Sequence, residues 1–361
     1  MSTYDLHIIK RLVRTYVLLV LGLIVFFIVL HYVEYVDDFL DRGATMSQVF
    51  LEYYPNYVPE IVRLMSPLAL FLATVYLTAR LTQRMELGSL QTSGVSLYRF
   101  MLPYVVVGAF VTGFMVWFNG WVVPETNRVV IRFEQDYMRD SDARPEVGNI
   151  NRQEGPGSLL SVQYYDLNSQ TATSPSLFQL SEERHLLRRV DAQRMTWSDS
   201  TGSWLMSDVT VRTFDEDGTE VRRHLVSIDT TLSIRPRDLA RSERDVEMMT
   251  VPEAREHIET LRRTGATRLG RPLVAFHSKY AYPFANLILV LVGVPLAAVR
   301  RRGGQAMQMG IGLFVAFVYL LVMKLIEPFG YSGLIAPVVA AWAPHVVFFV
   351  GGFIFLLRVR K

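Results

Sequence analysis

The sequence predicts a membrane bundle of six transmembrane α-helices, three before and three after an inserted all-β domain. Three observations carry this. Six apolar stretches approach bilayer length, basic residues recur in alternate short loops, and residues between 125 and 250 change to a polar, alternating pattern. Of the 361 residues, 50% are hydrophobic and only 20% charged. Soluble domains average roughly 25% charged. A hydrocarbon core of about 30 Å is crossed by about 20 helical residues at 1.5 Å each.

The first stretch, residues 16–36, reads "YVLLVLGLIVFFIVLHYVEYV". "KRLVR" before it resembles the start of a signal peptide, but the run continues past Leu30 into aromatics and acids without a small-residue cleavage site, which predicts a retained anchor. The second, residues 59–79, is the least apolar, because Glu60 and Arg63 stand at its start. The third covers residues 101–123, and the last three cover 280–299, 307–326 and 334–357. Lys10, Arg11 and Arg14 precede the first span, and Arg80, Arg84 and Arg99 separate the second from the third. Arg300, Arg301 and Arg302 join the fourth to the fifth, and Arg358, Arg360 and Lys361 follow the sixth. Asp37, Asp38, Asp41 and Glu52 lie on the opposite side. Short-loop basic residues stay in the cytoplasm, so both termini are expected there, together with residues 80–99. Parity puts the long insertion outside.

Within the insertion, runs such as "SLLSVQYYDL", "SWLMSDVTVRTFD" and "EVRRHLVSID" alternate apolar with polar residues, with turn signals at residues 199–202 and 215–218. This spacing predicts an antiparallel sandwich or open barrel. Thr250 and Glu253 form a capping-box signature for a helix that stops at Gly265, and residues 251–271 return the chain to the membrane.

Composition and motifs exclude much chemistry. Net charge is only +3, so a general affinity for nucleic acid is not expected, and no cysteine exists to form a disulfide or thiolate site. "GATRLGRP" (residues 265–272) spaces its glycines like a phosphate loop but lacks the lysine and hydroxyl that would meet phosphates and magnesium. The seven histidines show no metal-ligand spacing, no nucleophile elbow occurs, and the span centres hold no aspartate. The chain reads as a non-enzyme that binds no cofactor or metal, so any work it does is driven by another chain.

Against that background "MELGSLQTSGVS" (residues 85–96) stands out between two spans. Glu86 falls near the start of a short helix over about residues 83–94, where the positive dipole end favours an acid. Leu87 and Leu90 are i,i+3 neighbours, and Gly94 is placed as the C-terminal stop. Such a helix suits docking into a cleft of a soluble partner, and it suits an interfacial turn touching lipid equally well.

The segment "SPLALFLATVYLTARLTQRMELGSLQTSGVSLYRF" resembles the lipopolysaccharide-export permease family, the paired F and G subunits of the Lpt transporter. "FHSKYAYPFANLILVLVGVPLAAVRRR" and "IAPVVAAWAPHVVFFVGGFIFLLRVRK" resemble that family's ending, so the likeness runs nearly the whole chain in order. It implies that the insertion is a periplasmic β-jellyroll and that the chain resides in a Gram-negative inner membrane. The expected partners are a second homologous permease and a cytoplasmic ABC ATPase dimer, which uses ATP and magnesium. Jellyroll bridge proteins, reached directly or through a single-span subunit, would pass lipopolysaccharide onward. By motif match Glu86 becomes the acid of the ATPase-coupling helix, with Leu87, Leu90 and Gly94 shaping its docking face.

A lipid with several acyl chains and a phosphorylated headgroup needs an apolar opening with cations at its rim. The family places a lateral gate between the first span of one subunit and the fifth of its partner. Phe27 and Leu30, with Phe317 and Leu321, occupy those spans here. They suit acyl chains and bulk lipid alike. Lys324 lies near the outer end of span five and reads either as a headgroup contact or as the ion partner of Glu327. His277 and Lys279, at the outer start of span four, carry the same two readings. Glu34 stands where a G-type permease usually has a lysine. That leaves F-type, another pairing, or a differently charged lipid open. Three alternatives remain: a permease of another envelope-lipid or lipoprotein ABC exporter, a membrane-anchored periplasmic binding or scaffold protein, and a lipid-modifying enzyme. The first typically has four spans with its large domain after the first, and the second usually adds a cytoplasmic domain. The third needs a catalytic constellation.

Overall fold

A computed structural model describes residues 3–137, 150–155, 157–166, 169–181, 185–198, 201–214, 219–234, 236, 239, 245–263, 269–299 and 303–358. Contacts divide the chain into two units, one of residues 1–138, 246–255 and 270–361, the other of residues 139–245 and 256–269. The turns at 199–200 and 215–218, the helix stop at Gly265, residues 265–268 of the glycine-spaced motif, and Arg300, Arg301, Arg302, Arg360 and Lys361 lie outside the described residues.

The first unit is helical. Helix α1 runs Thr3–Asp41, and a capped turn α2 (Met46–Gln48) passes through a π-helical turn at Val49–Tyr53 into α3 (Tyr54–Gln83). The short α4 (Glu86–Thr92) precedes α5 (Leu97–Trp117), which continues through a second π turn (Phe118–Val122) into α6 (Val123–Tyr137). After the insertion come α7 (Val251–Arg263), α8 (Gly270–Ala281), α9 (Phe284–Ala298), α10 (Gly304–Tyr331) and α11 (Pro337–Arg358). Among the described residues, five helices are long and apolar enough to cross a membrane: Thr3–Asp41, Met46–Gln83, Leu97–Glu134, Gly304–Tyr331 and Pro337–Arg358.

The helices differ in extent from the apolar stretches at two places. The helices of the first three spans run well beyond residues 16–36, 59–79 and 101–123, because polar extensions continue the same backbone hydrogen bonding outside the apolar stretch. The third reaches Tyr137, so the residues from 125 begin as helix and the first described strand starts at Ile150. The fourth expected span is no single helix over 280–299; α8 and α9 meet at a 53° bend, and counting that pair as one crossing would make six. Pro283, the N-cap of α9, supplies no N–H to continue the helix from α8.

α9 is buried almost all round. Ile288, Leu289, Val290, Val294 and Ala297 face neighbours on every side, as expected of a helix apolar around its circumference. Close approach depends on small residues: a Cβ added at Gly293 would fall 3.1 Å from Phe71, and one at Gly352 would fall 2.6 Å from Val292. The free carbonyls at the end of α9 find donors from elsewhere, as a water-poor interior requires. Thr82 Oγ1 donates to Ala297 O at 3.0 Å, and Gln308 Nε2 to Ala297 O at 3.0 Å and Val299 O at 2.7 Å.

Among the described residues the second unit holds the later part of α7 and one antiparallel sheet of eight strands in the order β1-β2-β5-β6-β4-β3, with β7 also paired to β6 and β8 beyond it. The strands are β1 (Ile150–Gly155), β2 (Ser158–Val162), β3 (Tyr164–Asp166), β4 (Thr171–Thr173), β5 (Ser176–Leu180), β6 (Leu186–Ser198), β7 (Ser203–Phe214) and β8 (Glu220–Thr230). Long β6 pairs with β5 along its first half and with β4 along its second, which curls the sheet. The buried alternation slips midway. Inward residues run Trp204, Met206, then Val209, Val211 on β7, and Val190, Ala192, then Met195 on β6. Asp208, at φ 55°, marks that bend. Trp204 is wholly buried and donates Nε1–H to Ile234 O at 2.7 Å. The sheet is barrel-like, and among the described residues β8 pairs only with β7.

Candidate functional site

The turn around α4 is built by two left-handed residues. α3 ends at Gln83, and Met85 at φ 62° reverses the chain so that α4 begins at Glu86. At the other end Gly94 takes φ 89°. Its N–H bonds Gln91 O at 3.0 Å, while Val95 N–H bonds Leu90 O at 3.0 Å. This is a Schellman closure, and it needs a residue without a Cβ penalty. Ser96 then caps α5 by accepting from Arg99 N–H.

The hydroxyl residues of the segment serve the helix itself. Ser89 Oγ donates to Met85 O at 2.9 Å, Thr92 Oγ1 to Ser89 O at 2.9 Å and Ser93 Oγ to Ser89 O at 2.8 Å. Leu87 is 1% exposed and joins Ile8 and Leu12 of α1, Leu81 of α3, and Leu97 and Phe100 of α5 in one core, with Leu90 partly buried against it. Leu87 therefore anchors α4. The face left open carries Glu86, half-buried, with exposed Ser89 and Ser93. Tyr4, Arg84, Glu86, Ser89, Leu90 and Ser93 line an open cleft of about 370 Å³. The Tyr4 hydroxyl is buried there without a hydrogen-bond partner. Tyr4 comes from the start of α1, far from α4 in sequence, and no motif in the sequence marks it.

The residues read as a lipid path are surface residues of two helices. Leu30 and Glu34 on α1 are exposed, and Phe27 is half-buried with its ring edge-on to Phe26 at 5.4 Å. Phe317 (62% exposed) and Leu321 (44%) stand on α10. Lys324 Nζ donates to Glu327 Oε2 at 3.0 Å, the ion pair that the sequence allowed. His277 is half-buried beside Phe276. Lys279 is only 8% exposed and lies inside a polar cluster. Asn119, in the π turn after α5, donates Nδ2–H to Lys279 O at 2.8 Å. Arg63 pairs with Glu60 through two guanidinium contacts, one of them 2.8 Å, and stacks over the Tyr282 ring. Tyr282 OH bonds Leu64 O at 2.8 Å. The charges that weakened the second span in sequence thus stitch α3 to the α8–α9 bend.

Several long apolar helices, a sheet-rich insertion and a short polar helix between two of those helices define a multi-pass membrane protein. Residues 6–358 match the family of the lipopolysaccharide export system permease LptF/LptG. The chain belongs to that family. A comparison with curated proteins returned no match.

Proposed function

We propose that this chain is the transmembrane permease subunit of an ATP-driven exporter that extracts lipopolysaccharide from the inner membrane and passes it to a periplasmic bridge. In this reading the six crossings pair with those of a second permease of the same family, and both termini and α4 face the cytoplasm. The sheet is a periplasmic jellyroll whose β8 edge, paired only with β7 among the described residues, takes a strand from a bridge protein or from a single-span subunit. An unpaired edge invites strand addition, and Val221, Leu225 and Val226 are exposed along it. Work comes from a cytoplasmic ABC ATPase dimer, which binds the ATP and magnesium.

The observation that carries the proposal is α4 itself: a seven-residue helix between two crossings that anchors inward through Leu87 and presents Glu86 beside a polar cleft. A turn with no partner needs neither the left-handed entry nor the acid. Glu86 is then the coupling acid, and exposed Leu30, Phe317 and Leu321 form acyl-chain wall at the subunit interface, with Lys324, His277 and Lys279 as the basic residues toward the headgroup. Purification of the tagged chain in mild detergent should recover an ABC ATPase, a second permease and bound lipopolysaccharide by mass spectrometry. Glu86→Lys should insert normally yet lose most ATPase co-purification and ATP-dependent lipid release. Undiminished association and export in Glu86→Lys would remove α4 from this role.

A further inference from the structure

We infer that the Asp5–Arg99 pair is a positioning strut that keys the start of α5, and with it the α4 that leads into it, to the inner end of α1, so that displacement of α4 is delivered along α1 as a rod. This rests on the coupling role proposed for α4. Asp5 lies in the first turn of α1 and its side chain is 6% exposed. Arg99, in the first turn of α5, donates Nη1–H to Oδ1 at 3.0 Å and Nη2–H to Oδ2 at 2.7 Å. Such a fork fixes direction as well as distance. One and two turns further along α1, Ile8 and Leu12 are fully buried against the core that also holds Leu87 of α4 and Leu97 of α5. The Tyr4 ring forms a wall of the cleft beside Glu86. Apolar contacts of this kind tolerate sliding, whereas a bidentate ion pair at a buried carboxylate does not. The pair sets the register, and the core supplies the adhesion.

The remainder of α1 suits a rod. Its 39 residues contain no proline and at 1.5 Å each extend roughly 60 Å. Between Leu12 and Phe39 no residue of α1 is buried. Tyr16 OH touches Ser66 Oγ at 2.8 Å one turn above Leu12. The outer end is fastened again: Phe39 is fully buried, His31 meets the Tyr53 and Tyr54 hydroxyls at 3.3 and 3.4 Å, and Tyr53 donates to Glu134 at 2.9 Å. A stiff helix with its fully buried contacts at its two ends and only partly buried ones between them passes a movement at one end to the other.

The test uses the assembled exporter in nanodiscs. The chain has no cysteine, so nitroxide labels on Leu6→Cys and Thr92→Cys report one distance between α1 and α4, with and without ATP and vanadate. Expected is a single narrow distance in both conditions. Asp5→Asn or Arg99→Gln should broaden it and lower lipid released per ATP several-fold while the ATPase stays bound. The swap Asp5→Arg with Arg99→Asp should restore both readings. Should a single variant be too unstable to purify, the swap decides alone: a narrow distance with normal coupling supports the strut, and a broad distance with weak coupling overturns it. Unchanged distance and coupling in Asp5→Asn also overturn it. An unaltered complex without ATPase would instead overturn the function proposed above, and the strut with it.

Discussion

Leu87 and Ser89 are two residues apart on α4 and face opposite environments. Leu87→Ala empties a fully packed position and should cost about 2–5 kcal/mol. Ser89→Ala on the exposed face should stay within about 0.5 kcal/mol. Gly94→Ala meets no neighbour within 4 Å, but its φ of 89° strains any Cβ by roughly 1–2 kcal/mol. Apparent melting of the detergent-solubilised chain should rank the three as Leu87, Gly94, Ser89. Equal losses at Leu87 and Ser89 would contradict the orientation of α4. Gly94 was legible in the sequence, because a glycine after a short helix has one common use. The left-handed Met85 was not, since an ordinary side chain is forced there by the tight exit from α3. Nor was the burial of Lys279: its one-letter neighbours place it at a span's edge, and only the fold buries it, with its carbonyl accepting from Asn119 of a distant helix.

At the scale of elements, the expected cap of α7 forms through Glu253, whose carboxylate accepts from Thr250 N–H at 2.8 Å and Thr250 Oγ1–H at 2.9 Å. Arg128 adds a 2.5 Å contact and also donates to Met248 O, tying α6 to α7. Partial burial alone would raise the Glu253 carboxyl, but the bonds from Thr250 and Arg128 outweigh it and hold the group below its ordinary value of 4.5. A depressed carboxyl contributes stability that is complete above the ordinary value and vanishes as pH falls through the folded one. The side chain is 47% exposed, so solvent screening limits this to about 0.5 kcal/mol. Glu253→Gln should therefore melt slightly earlier than the unaltered chain at pH 7, with the gap closing as pH falls below 4. A gap that widens on acidification would contradict the sign. The bend between α8 and α9 was half legible: Pro283 announces a break, but its angle depends on Tyr282 reaching the backbone of α3.

The whole molecule carries the topology claim. Single cysteines at Thr92 on α4 and at Val226 on β8, which is 85% exposed, should label from opposite sides of the membrane. With an impermeant maleimide and a permeabilised outer envelope, Val226→Cys should react in intact cells, and Thr92→Cys only after the inner membrane is broken. The reverse pattern would invert the chain. Apolar run length and alternating polarity, local properties of consecutive residues, sufficed to announce a helical membrane protein with a β insertion, because burial in lipid and pairing in a sheet each impose a short period on the chain. Tertiary structure alone decided which polar groups are interior. Asp5 reads as a cost in sequence and becomes a contact only when Arg99, on a helix far away in the chain, meets it, since the free energy of a buried charge is set by the partner the fold brings to it.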